Sequence, residues 1–284
     1  MILREALQSA TQTLSSAGIA DACVEAELLL GHVLGMSKTL LYTEPERSLT
    51  SAEIGHLCHL VRRRLAHEPA AYILGHWQFY GIDFYIDSHT FIPRPETELL
   101  VEQAVEVARY VSQRGKQITV ADIGTGCGAI AISLALALPQ ARIYATDISA
   151  LALQVAEMNC RRHAVDKRVE LLQGNLLEPL PQPVDILVAN LPYIRGRELK
   201  DLPPEVKDYE PTMALAGGKE GLDRIQQMLE QTPGKVGHGA YFLLEIGRGQ
   251  GDMVTSLIKS YFPQAGIELI SDLGGIERAV KVEL

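Results

Sequence analysis

The alternation of short apolar segments with helical patterns after residue 117 constrains the fold more than any other feature of this sequence. Seven segments have the length and composition of strands, and they lie at 118–123, 142–146, 169–173, 185–189, 241–246, 267–271 and 279–283. Helical patterns fill the gaps at 129–138, 150–163, 220–231 and 251–261. Strands that alternate with helices form mostly parallel sheets covered on both faces. Only a Gly274-Gly275 turn separates the last two strands, so the sequence predicts an α/β domain with a mostly parallel seven-stranded sheet and an antiparallel last strand.

The region before this pattern divides into two further parts. Residues 1–75 show helical spacing without a strand pattern, with one helix ending at Gly35 and another beginning at Thr50 or Ser51. The run Arg62-Arg63-Arg64 lies in the second of these helices and is expected to form a solvated helix face. Residues 76–92 alternate and are rich in aromatic side chains, which is typical of a hairpin. We therefore expect a helical substrate-recognition domain at 1–75, a β-hairpin linker at 76–92 and the α/β domain at 93–284.

Composition narrows the classes of partner. The 284 residues include 26 Lys and Arg against 35 Asp and Glu, a net charge of −9, which disfavours holding nucleic acid by bulk charge. The four cysteines are widely spaced and form no CxxC pair, which fits a reducing compartment. No signal peptide is evident, and the longest apolar run, at 129–138, is about half of the ~20 residues that a membrane span needs. We expect a cytoplasmic, monomeric protein without membrane or direct nucleic-acid contact. The histidine spacing indicates no metal ion.

A glycine-rich loop follows the first strand of the sheet. In the stretch 120–132, Asp122 is followed by Gly124, Gly126 and Gly128, and a helix then begins. Glycines let the chain turn tightly and let a ligand lie against bare backbone. A carboxylate at this point would repel a diphosphate but suits S-adenosylmethionine, whose ammonium and sulfonium are both positive. The alternative is a glycine-rich turn without a ligand, and Cys127 within the loop is interpreted as a neutral filler and not a nucleophile.

Two further positions suit the nucleoside part of such a ligand. Asp147 ends the second strand, where an acid can accept both ribose hydroxyls; the alternative is that it caps the next helix. Asn175 and Leu176 follow the third strand, where an amide can bind the adenine amino group and an apolar side chain can pack on the ring. The alternative for Asn175 is an ordinary turn residue.

The fourth strand runs into Asn190-Leu191-Pro192-Tyr193. An amide or aryl amine nitrogen is a poor nucleophile, and an enzyme activates it by holding its N–H bonds on fixed acceptors so that its lone pair faces an electrophile. The Asn190 oxygen and a backbone carbonyl of Leu191-Pro192 suit that task, and Tyr193 can stack on a planar group. The alternative is a proline turn with a structural tyrosine. Glu245, on a buried strand, needs a partner and is interpreted as structural support.

These residues resemble the class I S-adenosylmethionine-dependent methyltransferases and, within them, the release-factor glutamine methyltransferases of the PrmC/HemK type. Four stretches carry the resemblance, at 26–35, 62–81, 91–102 and 122–132, and FIPRPETE at 91–98 is more specific to the family than the glycine loop. The resemblance implies a Rossmann-like domain and transfer of a methyl group from S-adenosylmethionine, leaving S-adenosylhomocysteine. The acceptor would be the side-chain amide nitrogen (N5) of the glutamine in the Gly-Gly-Gln motif of peptide chain release factors.

The resemblance also implies site residues. Substrate contacts and catalysis are expected from Asn190, Leu191, Pro192 and Tyr193. Cofactor contacts are expected from Pro93, Arg94, Glu96, Asp122, Gly124, Thr125, Gly126, Cys127, Gly128, Asp147, Ile148, Asn175, Leu176 and Asn190, with Thr97 near the same cleft.

The sequence departs from the family pattern at two positions. Leu191 replaces the first proline of the usual Asn-Pro-Pro-Tyr; it keeps the carbonyl but lacks the ring that fixes φ. Asn175 stands where an acid is common, and a neutral amide still pairs with adenine. We expect an active site with a looser backbone and at most a modest change in cofactor affinity.

Two other functions remain open from the sequence. Asn-Leu-Pro-Tyr also resembles the adenine-N6 dimethyltransferases of ribosomal RNA, although the net charge and the helical N-terminal region disfavour that class. A non-catalytic binding module is the second alternative, which the intact set of Asp122, Asp147 and Asn190 disfavours.

Overall fold

The computed structural model describes residues 1–112 and 117–284. They form two compact units, of which unit 1 comprises Met1–His76 and Pro203–Tyr209, and unit 2 comprises Trp77–Leu202 and Glu210–Leu284. Over the described ranges, no helix has the length and apolar character needed to cross a membrane.

The elements follow one another in the predicted order. The helices are α1 (Leu3–Ser16), α2 (Ala22–Leu34), α3 (Lys38–Thr43), α4 (Ser51–Leu65), α5 (Ala70–Leu74), α6 (Glu98–Ser112), α7 (Ala129–Ala137), α8 (Ala150–Arg162), α9 (Pro204–Lys207), α10 (Thr212–Leu215), α11 (Asp223–Glu230) and α12 (Gly251–Tyr261). The strands are β1 (His76–Phe79), β2 (Ile82–Tyr85), β3 (Thr119–Ile123), β4 (Arg142–Asp147), β5 (Val169–Gln173), β6 (Val184–Ala189), β7 (Val236–Glu245), β8 (Gly266–Ser271) and β9 (Glu277–Glu283).

Unit 1 is a helical body around its own apolar core. Leu14 of α1, Leu29 and Leu30 of α2 and Leu60 of α4 are almost completely buried in one cluster. Helix α4 begins with a capping box, in which Thr50 and Glu53 satisfy each other's backbone N–H groups. Apolar burial and helix capping therefore account for most of this unit, and an isolated antiparallel bridge between Ile2 and Ser48 adds one strand-type pairing.

The arginine run in α4 is not the solvated face that the sequence suggested. Arg62 is exposed, but Arg64 is only 3% exposed. Its Nε donates to Glu25 Oε2 at 2.5 Å and its Nη2 donates to Glu205 Oε2 at 2.7 Å. The expectation was wrong for Arg64 because two carboxylates, distant in sequence, pair with a guanidinium that would otherwise be costly to bury.

Unit 2 contains the seven-stranded sheet, with the strand order β5-β4-β3-β6-β7-β9-β8. Neighbouring pairs from β5 to β7 are parallel, and β9 runs antiparallel to both β7 and β8. The predicted fold class is thereby confirmed. The chain leaves β3 toward β4 on one side and returns to β6 on the other, so the carboxyl ends of β3 and β6 flank the switch point of the sheet, where ligands bind in such folds.

Two groups of helices cover the sheet. Helices α6, α7 and α8 contact one another in sequence order, whereas α11 and α12 contact each other. Ile225, Met228 and Ile258 from the second group are buried in one cluster with Leu187 and Phe242 of the central strands. This burial leaves the carboxyl edge of the strands as the place where polar loops can gather.

The sequence located the long elements but missed the short ones. The predicted hairpin is formed by β1 and β2, and α12 has the predicted bounds. The helices α9 and α10 have four residues each, too short for a periodic pattern to reveal.

Candidate active site

A cleft in unit 2 lies at the carboxyl ends of β3, β4 and β6. The residues that line it include most of the positions expected to bind a cofactor or substrate. Those positions are Pro93, Gly124, Thr125, Gly126, Cys127, Asp147, Ile148, Asn175, Leu176, Asn190, Leu191, Pro192 and Tyr193, together with Thr97. Four other expected positions, Arg94, Glu96, Asp122 and Gly128, lie outside this lining.

The glycine loop forms one wall of the cleft. The N–H groups of Gly124 and Thr125 both donate to the carbonyl of Thr146 at 2.9 Å, which fastens the loop to the end of β4. Gly126 has φ +57°, and a Cβ added there would meet no atom of the described residues within 4 Å. The backbone at Gly126 is therefore bare toward open space, as a ligand lying against this loop requires.

Asp122 lies beneath the loop and supports it. Its Oδ2 accepts from the Thr125 hydroxyl at 2.6 Å and from the Ala131 N–H at 3.1 Å. Its Oδ1 is buried and has no hydrogen-bond partner among residues 1–112 and 117–284. Burial first, and then the negative charge of Asp147, raise the pKa of this carboxyl to about 7. In this arrangement Asp122 ties the loop to the first turn of α7.

Asp147 faces the cleft and is only partly buried. Its Oδ2 accepts from the Gly126 N–H at 2.9 Å, and its Oδ1 accepts from the Ser149 N–H at 2.8 Å. The N-cap of α8 is Ser149, whose hydroxyl accepts from the Ala152 N–H, so Asp147 is not the cap. Each carboxylate oxygen keeps a lone pair for an additional donor such as a ribose hydroxyl.

Asn175 and Leu176 line the same cleft from the end of β5. The Asn175 amide donates to Glu178 Oε1 at 3.1 Å. Leu176 has φ +52°, and its carbonyl accepts from the Thr146 hydroxyl at 2.9 Å. A leucine in the left-handed region is strained by about 1 kcal/mol, so the surrounding contacts hold this turn against an intrinsic preference.

Cys127 has the properties of a filler. The side chain is 2% exposed, and burial raises the pKa of its thiol to about 12. A thiol that stays protonated at neutral pH is inert as a nucleophile.

Hydrogen bonds connect Asn190 and Tyr193 to the buried carboxylate of Glu245, in the case of Asn190 through Thr97. The Asn190 Nδ2 donates to Thr97 Oγ1 at 3.1 Å, and the Thr97 hydroxyl donates to Glu245 Oε2 at 2.6 Å. The Tyr193 hydroxyl donates to Glu245 Oε1 at 3.2 Å. Since the nitrogen of the Asn190 amide is engaged by Thr97, its oxygen is the end that can accept from a ligand.

Two further loops, at 217–221 and around Gln250, hold the backbone of the Asn190–Tyr193 segment, and neither was predicted to belong to the site. The Gln250 Nε2 donates to the Tyr193 carbonyl at 3.0 Å. A Cβ added to Gly217 would lie 2.6 Å from the Pro192 oxygen, and one added to Gly221 would lie 2.2 Å from the Tyr193 oxygen. The glycine cluster at 217–221 was the sequence signal for this close approach.

The stretch 91–98 forms another wall of the cleft, and ion pairs of Arg94 and Glu96 hold this wall in place. The Arg94 guanidinium pairs with the buried Glu210 and lies 4.7 Å from the centre of the Phe91 ring. Glu96 lies 3.9 Å from Arg278. These ion pairs fix the wall from which Phe91, Pro93 and Thr97 reach the cleft.

Within residues 1–112 and 117–284, no cluster of three or more His, Cys, Asp or Glu side chains is arranged to hold a metal ion.

Comparisons with known proteins match both units. A family profile described as the PrmC N-terminal domain matches residues 5–75, and one described as a methyltransferase small domain matches residues 97–202. Release factor glutamine methyltransferases of Moorella thermoacetica and Koribacter versatilis are 39% and 37% identical to this chain. The matches cover 98% and 99% of this chain and 97% and 98% of those proteins.

Solved structures show the same architecture at low identity. The catalytic domain of hMettl16 in complex with the MAT2A 3′UTR hairpin 6 has a TM-score of 0.56 and 13% identity, covering 71% of this chain and 75% of that one. The ribosomal protein L11 methylase of Lactobacillus delbrueckii subsp. bulgaricus has a TM-score of 0.50 and 19% identity, covering 69% and 82%. At such identities the likeness establishes the fold alone.

Proposed function

Because this chain belongs to the release factor glutamine methyltransferase family, we propose that it transfers a methyl group from S-adenosylmethionine to the side-chain amide nitrogen of the Gly-Gly-Gln glutamine in peptide chain release factors. The observation that carries this proposal is the arrangement of Asn190 and Tyr193 in the same cleft as the glycine loop and Asp147. The acceptor groups for an amide therefore lie beside the groups that suit the methyl donor.

The residues present fit S-adenosylmethionine. The ribose hydroxyls would donate to Asp147, and the amino-acid part would lie against Gly124 and Gly126. The adenine amino group would donate to Asn175, and its ring would pack on Leu176. The open space at Gly126 and the free lone pairs of Asp147 support this assignment. The cofactor supplies an electrophilic methyl group on a sulfonium. Asp122, Arg94 and Glu96 act behind this layer, in holding the loop and the wall of the cleft.

The side chains around residue 190 activate the glutamine by position. The Asn190 Oδ1 accepts one N–H of the target amide, and a backbone carbonyl of Leu191 or Pro192 accepts the other. Tyr193 stacks on the amide plane. With both hydrogens held, the nitrogen lone pair faces the methyl donor, and no strong base is needed beforehand because the N–H proton becomes acidic once the nitrogen is alkylated. The rate gain comes from positioning and fixed dipoles.

We propose that the helical region at 1–75 binds the release factor at a surface of that factor distant from the reacting glutamine. The PrmC N-terminal profile over residues 5–75 supports this role, since the residues lining the cleft all lie in unit 2. We propose that one chain is sufficient for the reaction and that the protein acts in the cytoplasm, where release factors act.

Transfer of a tritiated methyl group tests this function. The acceptors are a release factor, its variant with the Gly-Gly-Gln glutamine changed to alanine, and ribosomal RNA. Label on the first alone is the expected result. Label on RNA alone would refute the protein reaction, and no label on any acceptor would favour a binding module.

A further inference from the structure

A buried hydrogen-bond chain connects the two side chains proposed to hold the substrate amide. Glu245, at the end of β7, is 4% exposed, and its two oxygens accept from different hydroxyls. Thr97 is equally buried, at 4% exposure, and lies in the short 3-10 turn Pro95–Thr97 before α6. The chain therefore joins the FIPRPETE stretch, the end of β7 and the Asn190–Tyr193 segment.

Each hydrogen bond in this series has a defined donor and a defined acceptor. An ionised carboxylate accepts hydrogen bonds and donates none, so Glu245 takes the single hydroxyl proton of Thr97. The Thr97 oxygen then has only lone pairs left for Asn190, and the Asn190 amide must turn its Nδ2 toward Thr97. A flipped Asn190 would place two acceptor oxygens against each other at hydrogen-bond distance.

We propose that Thr97 and Glu245 are positioning residues, which set the amide orientation of Asn190 so that its oxygen, and not its nitrogen, faces the substrate. This inference rests on the proposed function, because it concerns the acceptor that Asn190 offers to the glutamine N–H. A flipped Asn190 would present a donor to a donor, and the substrate nitrogen would lose one of its two fixed partners.

The same carboxylate sets the position of the Tyr193 ring. The Tyr193 hydroxyl donates to Glu245 Oε1, while Gln250 holds the Tyr193 carbonyl and Gly247 lies close to the ring edge. The pKa of the Tyr193 hydroxyl is raised, first by burial and then by the charge of Glu245, so that it remains a donor at neutral pH. One buried acid thus fixes both the amide acceptor and the stacking surface.

Steady-state methyl transfer to a release factor by the Thr97→Val, Thr97→Ser and Asn190→Ala variants tests the proposal. Valine keeps the shape but removes the hydroxyl, whereas serine restores it. We expect Thr97→Val to lower kcat about 10- to 100-fold, Thr97→Ser to recover most of it, and the affinity for S-adenosylhomocysteine to change by less than about threefold. Thr232→Val is the matched control, because Thr232 is also a buried threonine with a hydroxyl bond but lies outside the cleft.

The double variant separates positioning from general loss of structure. If Thr97 acts through Asn190, Thr97→Val costs at most about threefold more in the Asn190→Ala background. If the kcat losses of Thr97→Val and Asn190→Ala were fully additive in the double variant, this inference would be overturned. It would also be overturned if the wild type were active and Thr97→Val kept a kcat within about twofold of it. A wild-type protein that transfers no methyl group would instead overturn the proposed function, and the assignment of Asn190 with it.

Discussion

At the scale of single residues, hydrogen bonds within the protein fix the orientation of the polar side chains that line the cleft. Asp147 has one backbone N–H on each oxygen, and Asn190 has its nitrogen engaged by Thr97. Each side chain is therefore fixed by its protein partners before a ligand arrives. Such preorganisation lowers the cost of holding a reacting group in one geometry.

The ionisation of Glu245 is expected to control activity near neutral pH. Burial raises the pKa of this carboxyl from its ordinary value near 4.5 to about 7. Within this net rise, the hydrogen bonds from Thr97 and Tyr193 lower the pKa, the like charge of Glu96 raises it, and Arg278 of β9 lowers it. Because the ionised form orients Asn190, we expect kcat to rise as the pH increases through about 7.

Stability should move in the opposite direction. A raised acid pKa means that the folded protein holds a proton that the unfolded chain releases. The contribution to the free energy of unfolding is therefore fully present below about pH 4.5 and is lost as the pH rises through about 7. Asp122 has a similar shift, so Glu245→Gln isolates the share of Glu245. For activity, a pH–rate profile that Glu245→Gln leaves unchanged would contradict the role of the ionised Glu245 carboxylate.

Leu191→Pro tests the departure from the usual Asn-Pro-Pro-Tyr. Proline keeps the carbonyl and fixes φ, so we expect transfer activity equal to or above that of the wild type. Leu191 is 3% exposed and packs near Gly124, so the smaller ring should cost about 1 kcal/mol of unfolding free energy. Kinetics and urea unfolding of the same preparation measure the two effects. A large loss of activity would show that position 191 requires a backbone conformation that leucine can adopt and proline cannot.

The residues that line the cleft could be predicted from sequence, and so could the need of Glu245 for a buried partner, but the identity of that partner could not. Gly124, Gly126 and Asp147 follow strands directly, and strand order brings them together at one sheet edge. Thr97 and Glu245 are 148 residues apart, and no local pattern connects them. Their contact exists only after α6 has packed on the sheet.

At the scale of elements, the segment 211–221 determines the path of the Asn190–Tyr193 backbone. The Ile194 N–H donates to the Leu215 carbonyl at 3.1 Å, and the Gly217 N–H donates to the Ile194 carbonyl at 2.9 Å. The helix α10 at the start of this segment was not predicted, because four residues carry no periodicity. The loop is defined by these tertiary contacts.

Gly221→Ala and Gly234→Ala form a matched pair. Both glycines have positive φ, at +78° and +75°, so both alanines carry about 1 kcal/mol of backbone strain. At Gly221 the added Cβ would lie 2.2 Å from the Tyr193 oxygen, whereas at Gly234 no atom of the part of the chain that the structure describes lies within 4 Å of it. We expect Gly221→Ala to lose about tenfold or more in kcat and Gly234→Ala to lose only stability. Equal activities would show that this loop does not position the segment.

Arg64 is expected to stabilise unit 1. Replacing it with alanine leaves Glu25 and Glu205 without the guanidinium that they share, which should cost about 3 kcal/mol of unfolding free energy. Arg62→Ala, at an exposed position on the same helix, should stay within about 0.5 kcal/mol of the wild type. Chemical denaturation of both variants measures the difference. A similar effect of the two would contradict the buried role.

At the scale of the whole molecule, we propose that methyl transfer and capture of the release factor belong to different parts of the chain. All residues lining the cleft lie between His89 and Arg224 in unit 2. Deletion of residues 1–75 should therefore leave S-adenosylhomocysteine binding measurable while transfer to the release factor is lost. Calorimetry and tritium transfer on the same truncated protein test this, and unchanged transfer would remove the substrate-recognition role of the helical region.

The central claim is that this cleft methylates a glutamine side chain. Mass spectrometry of a release factor, after incubation with this protein and S-adenosylmethionine, tests it most directly. We expect the mass of one added methyl group on the peptide that contains Gly-Gly-Gln, located at the glutamine by fragmentation and abolished by Asn190→Ala. An unmodified glutamine, or a methyl group on another residue, would contradict it.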